Sequence, residues 1–485
     1  MKIEQLNTAS LRKLKPVIDK PKYALTSVSC GVVHFGTGNF HRAHQAVYCD
    51  TLLNKGETNW GITGISLRSP VMRDNLAPQN YLYTLAILGE TTSYRVIGAI
   101  QNLLVGPEDP QSVIDVVAHG GTQLVTTTIT EKGYYLTSGG IDRAHPDMSG
   151  DLASISVPKT IYGYLAAALI KRSDNQGDPL TILCCDNMHG GGEHLQQGVQ
   201  MLLEHHSPDT LRWVEKNVAF SSSMVDRVTP ATDQYLKDQV AAQLGVYDAA
   251  PVAAEPFTQW IIEDRFAGIR PPFEQAGALF VNDIAPFERI KLRFLNAGHS
   301  ILAALGYLAG DQFIHEALQR PCLAQFAEQA LKLNVMPVTP VPEGISSEAY
   351  INQVLQRFKN GNLPYGVLQV GTDSSQKIQQ RILPTIDDGL SHGGDTSYLA
   401  FALGAWVCFI RKALQNDDLN DPLADEFSHC ISANKGGSVA AFLTLAGANK
   451  FHFFKDVPFM AAVQIYHSNI SEMGVEQAID TFFNP

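Results

Sequence analysis

Hydrophobic residues fall into two textures along the chain. In the first half they come in short runs bounded by glycine. SVSCGVVHFGTGNF, residues 27–40, reads as a strand entering a tight turn, and HRAHQAVYCDTLLNKG, residues 41–56, continues it as a helix closing at Gly56. Further strands are expected in WGITGISL (60–67), RVIGAI (95–100), QLVTTTI (123–129) and LTILCC (180–185), with helices such as PKTIYGYLAAALIKR (158–172) between them. Strands alternating with helices predict an α/β unit, Rossmann-like, built on a mostly parallel sheet. From about residue 285 the apolar spacing becomes three and four. FERIKLRFLNAGHSILAALGYL, HEALQRPCLAQFAEQALKL, EAYINQVLQRF and SYLAFALGAWVCFIRKAL predict a mostly α-helical C-terminal domain. The boundary is placed in the VNDIAPF stretch, giving domains 1–284 and 285–485.

Composition narrows this picture only a little. A chain of 485 residues exceeds one ordinary core, and 45% hydrophobic with 17% charged residues describes a globular protein. The formal charge of −12 argues against a nucleic-acid surface. Seven cysteines without a CxxC pair, with Cys184 and Cys185 adjacent, suit a reducing compartment. The N-terminus has no apolar signal core and the run Tyr398–Ile410 is short for a bilayer, so a cytoplasmic protein with no membrane partner is expected.

Candidate chemistry begins at HFGTGNFHRAH. Gly36 and Gly38 supply the first two positions of a dinucleotide fingerprint, and Ala43 stands farther along instead of a third glycine. A turn without side chains lets a pyrophosphate approach backbone N–H groups at a helix start. A plain strand-to-helix turn would also use glycine. The acidic ribose ligand usual at the end of the second strand is missing: Leu67 is followed by Arg68 and Ser69. An arginine there suits a 2′-phosphate, so NAD is expected with NADP as the alternative.

KLRFLNAGHS, residues 291–300, sets polar groups in an apolar helix. At about 100° per residue, with Lys291 at zero, Glu288 falls near 60°, His299 near 80° and Asn296 near 140°. Phe287, Ile290, Phe294, Ala297 and Ile301 form an apolar back face, with Leu292 and Leu295 intruding on the polar side. The bland alternative is a solvated amphipathic helix, but a solvated face normally carries Glu and Lys at four-residue spacing. An enclosed lysine favours its neutral amine, which serves as a base near neutral pH. Such a base takes the proton of a secondary alcohol as carbon gives up hydride, and amide donors stabilise the oxygen. Asn296 is one such donor. Asn187, just past the LTILCC strand, is a second, although Asn before glycines is equally an ordinary turn residue.

GTGNFHRAH, TEKGY (130–134), CDNM (185–188), SMVDRVTP (223–230), EPFTQWIIED (255–264) and KLRFLNAGH together resemble the polyol-specific long-chain dehydrogenase family, which includes mannitol dehydrogenases and fructuronate reductases. The resemblance implies a zinc-independent NAD(P)-dependent oxidoreductase acting on a sugar acid or polyol. It implies Lys291 as base, Asn187 and Asn296 as the oxyanion pair, His299 as the group polarising the substrate oxygen, and Glu288 as a proton relay. The cofactor is expected on Gly36, Gly38, Asn39, Phe40, Arg68, Glu131 and Lys132, and the resemblance places the substrate against Asp226 and Lys377. GTDSSQKIQQR (371–381) resembles fructuronate reductases, and Lys377 and Arg381, four apart on one helical face, suit a carboxylate, with a solvated basic edge as the equal alternative. NAGH resembles the mannitol enzymes instead. The expectation leans to fructuronate reductase.

Two other readings are set aside. Cys184, Cys185, His189 and His194 suggest a metal, but neighbouring strand residues point to opposite faces, so no metal site is expected. A sugar- or redox-sensing protein of the same fold would have no need of a buried base.

Overall fold

In the computed structural model, which describes residues 4–137, 139–433 and 438–484, the chain forms two compact units, Met1–Ile284 and Ala285–Pro485. The first is built on an eight-stranded sheet. Its strands, labelled in chain order, are Val32–Phe35 (β1), Ile62–Ser66 (β2), Ile100–Val105 (β3), Leu124–Thr127 (β4), Leu180–Cys184 (β5), Val218–Asp226 (β6), Gln259–Glu263 (β7) and Leu279–Val281 (β8). The spatial order is β8-β7-β6-β5-β4-β1-β2-β3, parallel throughout except between β6 and β7. The period of two decides the core. Val32, Leu124, Leu183 and Cys185 join one hydrophobic cluster, while Val33, Phe35, Val125, Ile182 and Cys184 join another. Burial on both faces explains why these strands read as continuous apolar runs. Cys184 and Cys185 therefore face opposite ways, as alternation requires.

β1 leads to β2 on one side, and β3 returns to β4 on the other, so the order reverses between β1 and β4. The crevice at the carboxyl ends of these two strands is where ligands bind in such sheets. A separate three-stranded sheet contains Val252–Ala254, Tyr83–Leu88 and Thr92–Ile97. RVIGAI is not one strand: it turns at Gly98–Ala99 from Thr92–Ile97 into β3, from one sheet to the other. The long helix expected after the glycine turn is also divided, into Asn39–Ala43 and Gln45–Asn54, at His44 with φ −125° and ψ −90°.

The second unit is helical. Its longest helix, Ser397–Gln415, packs against Val457–Met473 and Ala297–Ala309. At 19 residues it extends beyond the apolar run and is long enough to cross a bilayer by length and composition, but 78% of its apolar window is buried inside the protein. The segment 315–333 breaks at Pro321, which starts a new helix, Pro321–Gln329, because proline suits the first turn of a helix and not its interior.

Several buried imidazoles make stability depend on acid. His34 is buried and its pKa is pushed down to about 3. His467 is driven to about 4 by burial, with Arg411 adding to the effect. An unfolded histidine titrates near 6.5, so below that pH the unfolded chain takes up protons that the fold refuses. Stability is expected to be full above about pH 6.5 and to fall as pH drops through the window down to about 4, with His467 alone worth on the order of 3 kcal/mol. Thermal denaturation between pH 7.5 and about 4.5 checks this, and a flat midpoint would contradict it.

Candidate active site

At the switch point β1 ends in Phe35 and the chain turns through Gly36, Thr37 and Gly38. The two glycines do different work. Gly36 has φ +97°, and a Cβ there would lie 2.1 Å from the Thr128 carbonyl oxygen. It is a glycine of the fold, allowing the turn to press against the strand-end loop after β4, where Thr128 Oγ1 donates to Gly36 O at 2.8 Å. Gly38 is exposed, with ordinary φ −87°, and a Cβ there would meet only Gly36 O at 3.9 Å. Nothing in the fold demands its missing side chain, and the space it leaves fits a pyrophosphate. Gly36→Ala is therefore expected to cost at least about 2 kcal/mol of stability, whereas Gly38→Ala should fold normally and weaken dinucleotide binding. Paired thermal melts and NADH titrations separate the two.

The segment Asn39–Ala43 that follows is only five residues long, so a dipole from a long helix does not aim at this turn. Asn39 accepts from Arg42 Nη2 at 2.6 Å and donates to Thr232 Oγ1 at 3.2 Å. Phe40 stacks on His44 with ring centroids 5.1 Å apart. His41 lies under the turn, stacked 3.4 Å from His34, and His34 bonds Thr126 Oγ1 at 2.7 Å and Thr128 Oγ1 at 2.9 Å. Both rings are packing elements of the strand ends.

Beyond β4, Thr130 has φ +68° and opens the turn Glu131–Tyr134, whose Glu131 and Lys132 are exposed. This strained turn is held by a residue not anticipated from sequence, Asp186. Its buried carboxylate accepts from Thr130 N at 2.8 Å, Thr127 Oγ1 at 2.9 Å and Tyr134 OH at 2.5 Å, while burial raises its pKa. The signal was present in CDNM, an acid directly after a buried strand. Asn187, the next residue, is exposed past the carboxyl end of β5. Asp226 is buried as the last residue of β6, and Arg68 is exposed just past β2.

In the second unit the helix around Lys291 departs from the ideal wheel. After Ala285–Ile290 the backbone runs as a π-helix through Lys291–Asn296, and only then as the α-helix Ala297–Ala309. The wider i→i+5 turn carries an extra residue, so angles drawn at about 100° per residue do not extend past Lys291. The two-faced helix expected from those angles is corrected as well: Glu288, Lys291, Asn296 and His299 are 7–8% exposed, and Phe294, Leu295 and Ala297 are buried too. The helix is enclosed on nearly every side. A solvated surface helix is ruled out, and π segments are frequent where side chains are aimed for function.

His299 is clamped by aromatic rings, stacked on Phe358 at 3.9 Å and edge-on to Tyr365 at 5.3 Å. Its pKa is held well below the ordinary value, first by burial and then by the charges of Arg357, Arg381 and Lys377. Arg381 reaches the helix bearing His299 directly, donating to Ser300 Oγ at 3.0 Å and to the Asn296 carbonyl at 3.4 Å. Lys377 Nζ donates to Val370 O at 3.1 Å. Arg357 was not anticipated. It lies in Ser347–Phe358, which packs on the π segment, and QRF gave no cue beyond a cation next to an aromatic.

This unit thus gathers a buried amine, a buried amide, a neutral imidazole and three cations, a set suited to deprotonating an alcohol and holding an anion. Among the described residues no group of three or more His, Cys, Asp or Glu side chains is arranged to hold a metal ion.

Two family models match the chain. The mannitol dehydrogenase Rossmann domain covers residues 30–275 and the mannitol dehydrogenase C-terminal domain covers residues 283–463. A mannitol 2-dehydrogenase of Phaeosphaeria nodorum is 38% identical over 434 residues, spanning 87% of this chain and 76% of the relative. A D-mannonate oxidoreductase of Escherichia coli is 34% identical over 473 residues, spanning 95% of this chain and 97% of the relative. Pseudomonas fluorescens mannitol 2-dehydrogenase, solved with NAD and D-mannitol, has a similar structure with TM-score 0.88 at 32% identity, covering 99% of each chain. The chain belongs to the mannitol dehydrogenase family, whose members are NAD-dependent oxidoreductases acting on secondary alcohols of polyols and hexonates.

Proposed function

We propose that the protein is a fructuronate reductase that interconverts D-mannonate and D-fructuronate with NAD(H), using Lys291 as a zinc-independent general base. The observation that carries this reading is the trio of cations, Arg357, Lys377 and Arg381, whose charges act on His299. A carboxylate accepts charge-assisted hydrogen bonds from such cations, which are stronger than those a neutral hydroxyl accepts.

In the oxidation direction the Lys291 amine takes the hydroxyl proton. The side chain is buried, and its neutral form is the one that can accept the proton. As the C–H bond gives up its electron pair, charge grows on the oxygen. The Asn296 amide donates to that oxygen, and so does the neutral His299 ring through an N–H. Bound NAD supplies the hydride acceptor. Glu288, buried three residues before the base, is assigned the relay of its proton to solvent. Gly36, Gly38, Asn39, Phe40, Glu131 and Lys132 are assigned to the dinucleotide, Asn187 to the developing oxyanion as a further donor, and Asp226 to the substrate.

A second reading, mannitol 2-dehydrogenase acting on mannitol and fructose, is favoured by the 38% identity to the Phaeosphaeria nodorum enzyme. Absorbance at 340 nm with fructuronate, mannonate, fructose and mannitol, with and without a chelator, separates the two. The proposal expects kcat/KM at least about tenfold higher for the acids, unaffected by chelation. A preference for the neutral sugars supports the second reading. Arg357→Met and Lys377→Met are expected to raise KM for fructuronate by about 10- to 100-fold, the worth of one charge-assisted hydrogen bond, with a smaller effect on fructose. Equal effects on both substrates would count against the cationic clamp.

A further inference from the structure

The rim of the Rossmann unit at the carboxyl end of β2 carries an exposed arginine, Arg68, that an NAD site does not need. The residue just past this strand commonly meets the 2′-hydroxyl of the adenosine ribose, and a carboxylate there both accepts that hydroxyl and repels a 2′-phosphate. In this chain no carboxylate lies between Ile62 and Arg73. The two acids that come nearest in sequence and pairing, Asp74 and Glu108, are both tied to Arg73, with Arg73 Nη2 to Asp74 Oδ1 at 2.8 Å and Nη1 against Glu108 Oε2. Both are thus drawn toward Arg73.

Arg68 occupies the rim position instead, and its backbone is fixed. Ser66 Oγ donates to Ser69 O at 2.6 Å, and Ser69 N donates to Ser66 Oγ at 3.3 Å, closing the turn that presents Arg68. Its side chain is exposed and lies beside the hydroxyl of Tyr135. That hydroxyl donates to Asp147 at 3.0 Å. Tyr135 follows β4, on the far side of β1 from β2, so the guanidinium extends over the same end of the sheet as the glycine turn. An arginine in such a place offers a planar fork to a phosphate and a flat face to an adenine.

We propose that Arg68 forms a site for the 2′-phosphate of NADP(H), so that the protein takes NADP(H) as well as NAD(H). The inference rests on the reading of this unit as a nicotinamide-dinucleotide site. Its chemistry is that of a ribose 2′-phosphate monoester recognised by charge, so binding should weaken as salt rises.

Titration of the full-length protein with NADH, NADPH, 5′-AMP and 2′,5′-ADP, followed by calorimetry without any sugar substrate, tests it independently of turnover. The expected result is a Kd for NADPH within about threefold of that for NADH or tighter, and tighter binding of 2′,5′-ADP than of 5′-AMP. Arg68→Ala should raise the ratio of Kd for NADPH over NADH at least tenfold, and Arg68→Asp should raise it further. NADPH binding a hundredfold weaker than NADH in the native protein, or a ratio that Arg68→Ala leaves within twofold, would overturn the proposal while leaving the dinucleotide site standing. Failure to bind either nucleotide would overturn the reading of the site itself, and the proposal with it.

Discussion

Lys291→Met is expected to lower kcat for mannonate oxidation by about 10³-fold, within the range that a positioned general base contributes, while the Kd for NADH moves by less than about threefold. The size follows from where the amine sits. At 8% exposure Lys291 is shielded from water, so bulk hydroxide is a poor substitute when the base is gone. Methionine keeps most of the side-chain volume, which limits collapse of the π segment Lys291–Asn296. The loss should concentrate in kcat, because the amine interacts with the hydroxyl proton most strongly as it is transferred. The acid limb of the pH–rate profile should vanish with it. Steady-state kinetics between pH 6 and about 10 and a parallel NADH titration check both statements.

Asn296→Ala is expected to cost about 10²- to 10³-fold in kcat, the scale for one preorganised donor to an oxyanion. The residue closes the π segment and is 8% exposed, so its amide is held in a site that excludes most water. Its carbonyl also accepts from Arg381 at 3.4 Å, but through the backbone, which the substitution preserves. The variant should therefore keep the cationic clamp and lose only the donor. If kcat stays within about threefold while KM rises, Asn296 binds substrate without stabilising the developing charge.

The sequence made the strands legible because they are buried on both faces, and a continuous apolar run bounded by glycine is hard to mistake. The glycine turn was legible for the same reason. What could not be read was how Gly36 and Gly38 differ, because one answers to the Thr128 carbonyl 92 residues away and the other to empty space. The break at His44 escaped the pattern because HRAHQAVY has helix-compatible spacing throughout, and the interruption is a matter of backbone angles. RVIGAI looked like one strand because a chain that leaves one sheet for another within two residues keeps its apolar character.

The helix bearing Lys291 shows the same division more sharply. Polar residues among large hydrophobes marked it as enclosed, and burial of Glu288, Lys291, Asn296 and His299 agrees. The π segment was not legible, since no residue type specifies an i→i+5 turn; packing by surrounding helices selects it. Arg357 and Asp186 were missed because each acts through a neighbour distant in sequence: Arg357 on His299, and Asp186 on Thr130.

The chemical rescue of Lys291→Ala by small primary amines tests the base assignment most directly. Under the proposed mechanism, truncation removes the amine and leaves room beside the substrate hydroxyl for a replacement. The account predicts that methylamine or ethylamine restores mannonate oxidation saturably, by at least about tenfold over the unrescued variant, with a rate that follows the concentration of the neutral amine. A variant that turns over at a near-native rate without added amine, or one that no amine accelerates while mannonate and NAD still bind, would contradict it.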